Sequence, residues 1–130
     1  MFALLTKKEF EVFILWTLIV LAIMLAPIGD FEEHMPSGFR HWDKLAHIAL
    51  FGITGVVSAY GSVFVGSVKN RILFALAFSL TLAIATEAAQ RYIGGRTGSF
   101  LDLLADVAGL SFALLLYALW RLRSPEVPKP

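Results

Sequence analysis

The sequence of 130 residues contains no cysteine, and only 16% of its residues are charged. Without cysteine there are no disulfides, thiolate metal sites or thiol nucleophiles, so a metal ion would need histidine and carboxylate ligands. The net charge is +1 and no basic patch is interleaved with aromatic residues, which argues against a nucleic-acid partner. Hydrophobic residues make up 58% of the chain, more than a water-soluble core of this size can bury. The composition therefore predicts a membrane protein.

The hydrophobic residues fall into four runs, and each run has about the length of a helix that crosses a bilayer. We predict one all-α domain over residues 1–130, an integral membrane four-helix bundle with helices at about 10–26, 44–65, 72–91 and 101–121. The first run follows Lys7 and Lys8 as in a secretory signal. Met24, however, occupies a position where a cleavage site needs a small residue, so we expect an uncleaved helix that ends at Pro27.

Basic residues near the helix ends predict the orientation, because loops rich in Lys and Arg stay in the cytoplasm. With the N-terminus inside, the cytoplasmic segments carry seven basic and three acidic residues, whereas the outer segments carry four basic and seven acidic residues. Both termini are therefore expected in the cytoplasm. Trp42 and Tyr92 would then lie at the outer interface and Trp120 at the inner one, as in an aromatic belt.

Small residues recur every four positions in the last three runs, which predicts that these helices pack closely and that the first helix is more peripheral. The rows are Gly55 and Ala59, then Ala75, Ser79 and Ala83, then Ala105, Gly109 and Ala113.

Polar residues at the ends of the apolar runs form three sets with helical spacing, so each set lies on one helix face. The sets are Asp43, Lys44 and His47, then Glu87, Gln90 and Arg91, then Asp102 and Asp106. Arg96 lies in the glycine-rich loop at 94–98. The predicted topology places all of them at the outer boundary of the membrane. Ionisable groups at that depth need a partner or a cavity, so we expect them to converge on one site.

Structural roles are open for several of these residues. Asp43 can cap the second helix, and Ser99 with Asp102 fits a capping box. Lys44 and Arg91 can extend to the lipid headgroups.

Neither Glu87 nor Asp106 lies at a position where it would cap a helix, and both have apolar neighbours. Their structural alternative is a buried pair with His47 or Arg96 that fixes the register of the helices.

Four motifs follow one another along the chain: Asp43-Lys44-Leu-Ala-His47, Glu87-Ala-Ala-Gln90, Arg96, and Asp102-Leu-Leu-Ala-Asp106-Val-Ala-Gly109. Their order resembles that of the VanZ-like family of small membrane proteins. The family pattern runs Asp-Lys-x-x-His, Glu-x-x-Gln, Arg and Asp-x-x-x-Asn-x-x-Gly. Asp106 stands where the family has asparagine, so this site carries an additional acidic group. The resemblance implies a location in the cytoplasmic membrane of a bacterium, action at the cell envelope and, for the family's namesake, a link to low-level teicoplanin resistance.

Two functions are compatible with this constellation. In the first, the protein binds or processes an amphiphile whose anionic headgroup lies at the outer leaflet, such as a phospholipid or a lipid-linked envelope precursor. The candidate catalytic residues are His47, Glu87 and Asp102, and the candidate substrate-binding residues are Arg96, Lys44, Gln90, Asp43 and Asp106. In the second, the cluster is a structural clasp, and the protein is a non-catalytic scaffold or partner-binding subunit.

A metal site is a further alternative, since nitrogen and oxygen donors suit zinc, manganese or magnesium. Its ligands would be His47, Glu87, Asp102 and Asp106. The cations Lys44, Arg91 and Arg96 would compete for the carboxylates, so the sequence predicts no metal and no other cofactor. An ion carrier is not favoured either, because the polar groups stop near one face of the membrane.

Overall fold

The computed structural model describes residues 2–27, 36, 40–93 and 99–124. These residues form four α-helices: α1 (Phe2–Leu25), α2 (Arg40–Gly61), α3 (Val68–Gln90) and α4 (Phe100–Arg123). A short 3-10 turn, Val63–Val65, lies between α2 and α3. The all-helical architecture predicted from the sequence is confirmed.

The ends of α2 differ from the predicted range of 44–65, because the helix begins at Arg40 and ends at Gly61. The hydroxyl group of Ser62 donates to the carbonyl oxygen of Ala59 at 3.1 Å and so satisfies a group that the helix end leaves without a partner. The chain leaves the following 3-10 turn through Gly66, whose φ of +80° lies in the left-handed region that glycine adopts readily. The apolar run therefore extends beyond the helix that it predicts.

Three helices are long and apolar enough to cross a membrane: α2 over His41–Gly61, α3 and α4. α1 has 24 residues but does not share this property. Every stretch of 18 residues within α1 contains at least three charged residues, because Lys8, Glu9 and Glu11 lie in all of them. The first run thus forms the helix that the sequence predicts, but no 18-residue stretch of it has as few charged residues as the best stretch in each of the other three helices.

The distribution of side chains differs from that in a water-soluble bundle. Large hydrophobic side chains cover the outside of the helices, among them Leu15, Leu18, Ile53, Leu73, Ile84, Phe112 and Leu115. Polar side chains are buried between the helices, namely His47, Thr54, Ser58, Ser62, Ser79, Thr86, Glu87, Gln90, Asp102 and Asp106. Water-soluble helices expose charged residues and bury apolar ones, whereas lipid favours the arrangement seen here.

Successive helices run antiparallel, and the most extensive helix–helix interface joins α2 to α4. Small residues allow this close approach, as predicted from the rows of small residues in the sequence. A Cβ atom on Gly109 would contact the carbonyl group of Ile48 and would lie 2.8 Å from its Cα. α1 packs against α2 and α3 at the periphery, where Val20 and Met24 contact a core that includes Phe51 and Ala83.

The two ends of the bundle differ in chemistry. At one end aromatic rings cluster, with Tyr60 5.6 Å from Tyr117 and 6.3 Å from Trp120 between ring centroids. The guanidinium of Arg121 lies 5.8 Å from the Trp120 ring, a cation–π distance. The opposite end holds the start of α2, the end of α3 and the start of α4, and with them the polar sets that the sequence singled out.

Candidate functional site

Two polar pairs join α2 to α4, one helical turn apart. The ammonium of Lys44 donates to Oδ1 of Asp102 at 2.7 Å. Nδ1 of His47 lies 2.8 Å from Oδ1 of Asp106. Residues three and four apart share a helix face, so the spacing within each helix places both pairs along the same seam.

The two pairs differ in burial. The side chain of Lys44 is 39% exposed and that of Asp102 12% exposed, so this pair lies at the mouth of the cluster. The side chains of His47 and Asp106 are 8% and 1% exposed, so the second pair lies inside. Breaking a buried pair costs about 3–5 kcal/mol because a charge is left without compensation, whereas an exposed pair contributes about 1 kcal/mol or less.

The imidazole of His47 has a defined orientation. An ionised Asp106 can only accept, so Nδ1 carries the hydrogen and Nε2 of the neutral ring has a lone pair to offer. Nε2 lies 3.9 Å from Oδ1 of Asp43, which is beyond hydrogen-bonding distance. The ring therefore presents one nitrogen to the bundle interior and the other to the mouth of the cluster.

The sequence left two capping roles open, that of Asp43 in α2 and that of Ser99 with Asp102 in α4, and the structure gives a different answer for each. Asp43 lies inside the first turn of α2, which begins at Arg40, so it is not the N-cap residue. Ser99 does cap α4, since its hydroxyl group accepts from the N–H of Leu101 at 3.2 Å. The carboxylate of Asp102 binds Lys44 across the interface.

Glu87 is buried at the end of α3, with 4% of its surface exposed. Among the residues that the structure describes, neither of its carboxylate oxygens has a hydrogen-bond partner, and the same holds for Oδ2 of Asp106. Asp102, His47 and Asp106 are close enough to interact with the charge of Glu87, so Glu87 belongs to the cluster. The cluster thus contains buried acceptors that the described residues do not satisfy.

Gln90 connects α3 to α1. Its side-chain Nε2 donates to the backbone carbonyl of Met24 at 2.7 Å. The sequence placed Gln90 among the substrate-binding residues and carries no signal for this contact, because a side chain bound to a distant backbone carbonyl leaves no pattern in the spacing. The contact brings the end of α1 to the level of the polar cluster.

The structure brings six of the eight predicted site residues together: Asp43, Lys44, His47, Glu87, Asp102 and Asp106. Gln90 lies beside them on α3, and Arg91, which the sequence placed in the same set, is exposed. Arg96 lies outside the residues that the structure describes.

The described part of the cluster contains more acidic than basic groups. It has four carboxylates, one lysine and one histidine, with Arg91 at the rim. One ligand atom from each of Asp43, His47 and Asp102 lies within 4.8 Å of the other two, a spacing compatible with a metal ion. This set differs from the metal alternative considered from the sequence, because Asp43 takes the place of Glu87 and Asp106.

Comparison of the chain with protein-family models, curated proteins and solved structures gives no match. The resemblance to the VanZ-like family stays a prediction from the motifs, and the residues of the cluster carry the functional argument.

Proposed function

We propose that the chain is an integral membrane protein of the VanZ-like type that binds or processes an anionic lipid or lipid-linked headgroup. Its helices cross the bacterial cytoplasmic membrane four times with both termini in the cytoplasm, and the polar cluster faces the outer leaflet. The apolar outer faces of the helices and the excess of basic residues in the predicted cytoplasmic segments support this arrangement.

The fourth crossing is assigned to α1. At 1.5 Å per residue its 24 residues extend about 36 Å, more than the hydrocarbon core of a bilayer. Phe10 packs against Phe64 at one end of the bundle, and the carbonyl of Met24 accepts from Gln90 at the other. Lys7 and Lys8 precede the apolar part of α1 and can extend to cytoplasmic headgroups.

The buried His47–Asp106 pair carries the functional proposal. A carboxylate on Nδ1 fixes the tautomer and the orientation of the ring, which leaves Nε2 to exchange a proton with a bound molecule. Such a pair placed beside the headgroup layer suits a general acid or base acting on a headgroup. Glu87 is the candidate partner in proton transfer, because it is buried near His47.

The anion-binding part of the proposal rests on Lys44, which is the partly exposed cation at the mouth. Asp102 holds its ammonium in place, and Asp43 lies one turn before His47 on the same face. Arg96 is proposed as a second clamp for phosphate or carboxylate, since a guanidinium binds such groups through two parallel hydrogen bonds. The apolar tails of the amphiphile would lie along the outer faces of the helices.

The test incubates the purified full-length protein in detergent with labelled envelope lipids and measures both retention and conversion. We expect Lys44→Met to reduce the retention of anionic lipids, and His47→Gln to reduce conversion in a protein that stays helical. Lys69→Met is the matched control, because Lys69 is an exposed lysine at the start of α3, at the opposite end. Equal losses in the Lys44 and Lys69 variants, or no retained lipid with the unaltered chain, would refute the proposal.

The structural clasp is the second candidate, and the pattern of contacts favours it independently. Lys44 and His47 bind acids on α4, and Gln90 binds the end of α1, so polar contacts at this end involve all four helices. In this case Asp106→Ala should lower the free energy of unfolding by about 3–5 kcal/mol. Lipid binding that falls only in step with stability across the variants would favour the scaffold function.

A further inference from the structure

We propose that Asp43, His47 and Asp102 bind a divalent metal ion of the manganese type at the mouth of the polar cluster. Each residue offers one donor atom, and these atoms lie within 4.8 Å of one another. One imidazole nitrogen with two carboxylates is a donor set that manganese and zinc both accept.

The donor atoms must move closer together to close around an ion. Nitrogen and oxygen ligands at about 2.0–2.2 Å from a metal are at most about 4.4 Å apart, whereas the three donor atoms lie within 4.8 Å of one another. Asp43 can move toward an ion, because its side chain is 43% exposed and lies in the first turn of α2.

Asp106 already supports His47 as an outer-shell partner of a metal site does. Metal-binding histidines characteristically donate their second ring N–H to a carboxylate, which orients the ring and increases its basicity. Nδ1 of His47 has that partner at 2.8 Å, and Nε2 faces Asp43 at the mouth. The ligand nitrogen is therefore preoriented by a residue that does not itself belong to the ligand set.

Glu87 is a second, independent observation that favours a cation at this place. It is 4% exposed, neither of its oxygens has a hydrogen-bond partner among the described residues, and Asp102 and His47 are close enough to interact with its charge. A buried carboxylate without a partner is costly, and a cation beside Asp102 would provide compensation.

Lys44 does not exclude the ion. Its ammonium occupies Oδ1 of Asp102, and the second oxygen of that carboxylate can bind a metal at the same time. A bound ion would offset the excess of carboxylates and could present an open coordination position to a phosphate. That last step rests on the proposed headgroup function, whereas metal binding itself does not.

The experiment titrates Mn²⁺ into the full-length, lipid-free protein in detergent and follows free and bound ion by electron paramagnetic resonance. We expect one Mn²⁺ per chain, competition by Zn²⁺, and a modulation of the electron spin echo by one imidazole nitrogen. Asp43→Asn should weaken binding at least about tenfold, because it removes a charged ligand and leaves both interhelical pairs in place. Glu11→Gln is the matched control and should bind as the unaltered chain does, since Glu11 is an exposed acid on α1, in the predicted cytoplasmic part.

A second variant, His47→Gln, should abolish the nitrogen modulation. The inference is overturned if the unaltered chain binds no stoichiometric Mn²⁺, if Asp43→Asn retains full affinity, or if the nitrogen signal persists in His47→Gln. A chain that binds Mn²⁺ but retains no anionic lipid would refute the proposed function and leave the metal site standing. Lipid retention without metal binding would overturn the metal site and leave the proposed function standing.

Discussion

Gly109 lies where α4 approaches the backbone of α2, so Gly109→Ala perturbs the candidate site without changing any residue in it. The added Cβ atom would contact the Ile48 carbonyl and would lie 2.8 Å from Ile48 Cα. Nonbonded carbon atoms are most favourably placed about 3.5–4.0 Å apart. The two helices must therefore separate locally by about 0.7 Å or more, the difference between 3.5 and 2.8 Å.

This separation acts directly on the buried pair, because Ile48 follows His47 and Gly109 lies one turn after Asp106. The 2.8 Å distance between Nδ1 and Oδ1 would lengthen to about 3.5 Å, beyond the usual range of a hydrogen bond. Overpacking costs about 1–3 kcal/mol and loss of a buried pair about 3–5 kcal/mol, whereas alanine gains about 1 kcal/mol in helix propensity. When the lower ends of the two costs are set against the gain in helix propensity, the free energy of unfolding falls by about 3 kcal/mol.

Reversible unfolding in mixed detergent micelles measures this loss. Gly52→Ala is the matched control at the same interface, because its Cβ would lie 3.3 Å from the Gly109 oxygen and 3.5 Å from Ala113 Cβ, a fit that needs little adjustment. In a chain that already carries Asp106→Ala, the Gly109→Ala substitution should lower the free energy of unfolding by less, because the His47–Asp106 pair is already absent. Equal costs for the two glycine variants, or an unchanged cost without Asp106, would refute the reasoning.

Two further predictions concern the topology and the attachment of α1. Single cysteines at Tyr92 and at Asn70, both exposed, should react differently with an impermeant thiol reagent in intact cells. Labelling is expected at Tyr92, and strong labelling at Asn70 would contradict the proposed orientation. Gln90→Leu should lower the free energy of unfolding by about 1–3 kcal/mol, because it removes the buried donor to the Met24 carbonyl. Thr81→Ala, which removes a hydroxyl group that bonds within its own helix, should change it much less in the same unfolding assay.

Local periodicity accounts for the features that the sequence predicts well. Residues four apart lie on one face of a helix, which is why the spacing of Asp102 and Asp106 alone predicts that they share a stripe. The rows of small residues likewise indicate where helices approach, and Gly109 lies at that interface. Both signals depend only on the geometry of a single helix, so they persist whatever the neighbouring helices do.

The pairing across helices is less predictable. The sequence leaves open whether Glu87 or Asp106 pairs with His47, and the structure gives the hydrogen bond to Asp106. Which acid faces the imidazole depends on the relative height and rotation of α2, α3 and α4, and no spacing within one helix contains that information. The contact of Gln90 with Met24 depends in the same way on where α1 ends. The contact of Trp16 Nε1 with the hydroxyl group of Thr54, at 3.0 Å, is another link between helices that has no signal in the sequence.

The close glycine contact and the polar cluster depend on each other. Side-chain pairs of 2.7 and 2.8 Å between short aspartates and residues on the opposite helix require that the two backbones lie close together. A larger residue than glycine at 109 would hold the backbones apart at the level of Ile48. Conversely, the paired charges favour the helix register in which Gly109 faces Ile48, because any other register leaves buried ionisable groups without partners. The register of α2 against α4 is therefore determined jointly by steric fit and by charge pairing, and a ligand that binds Asp43, His47 or Asp102 would act on the same interface.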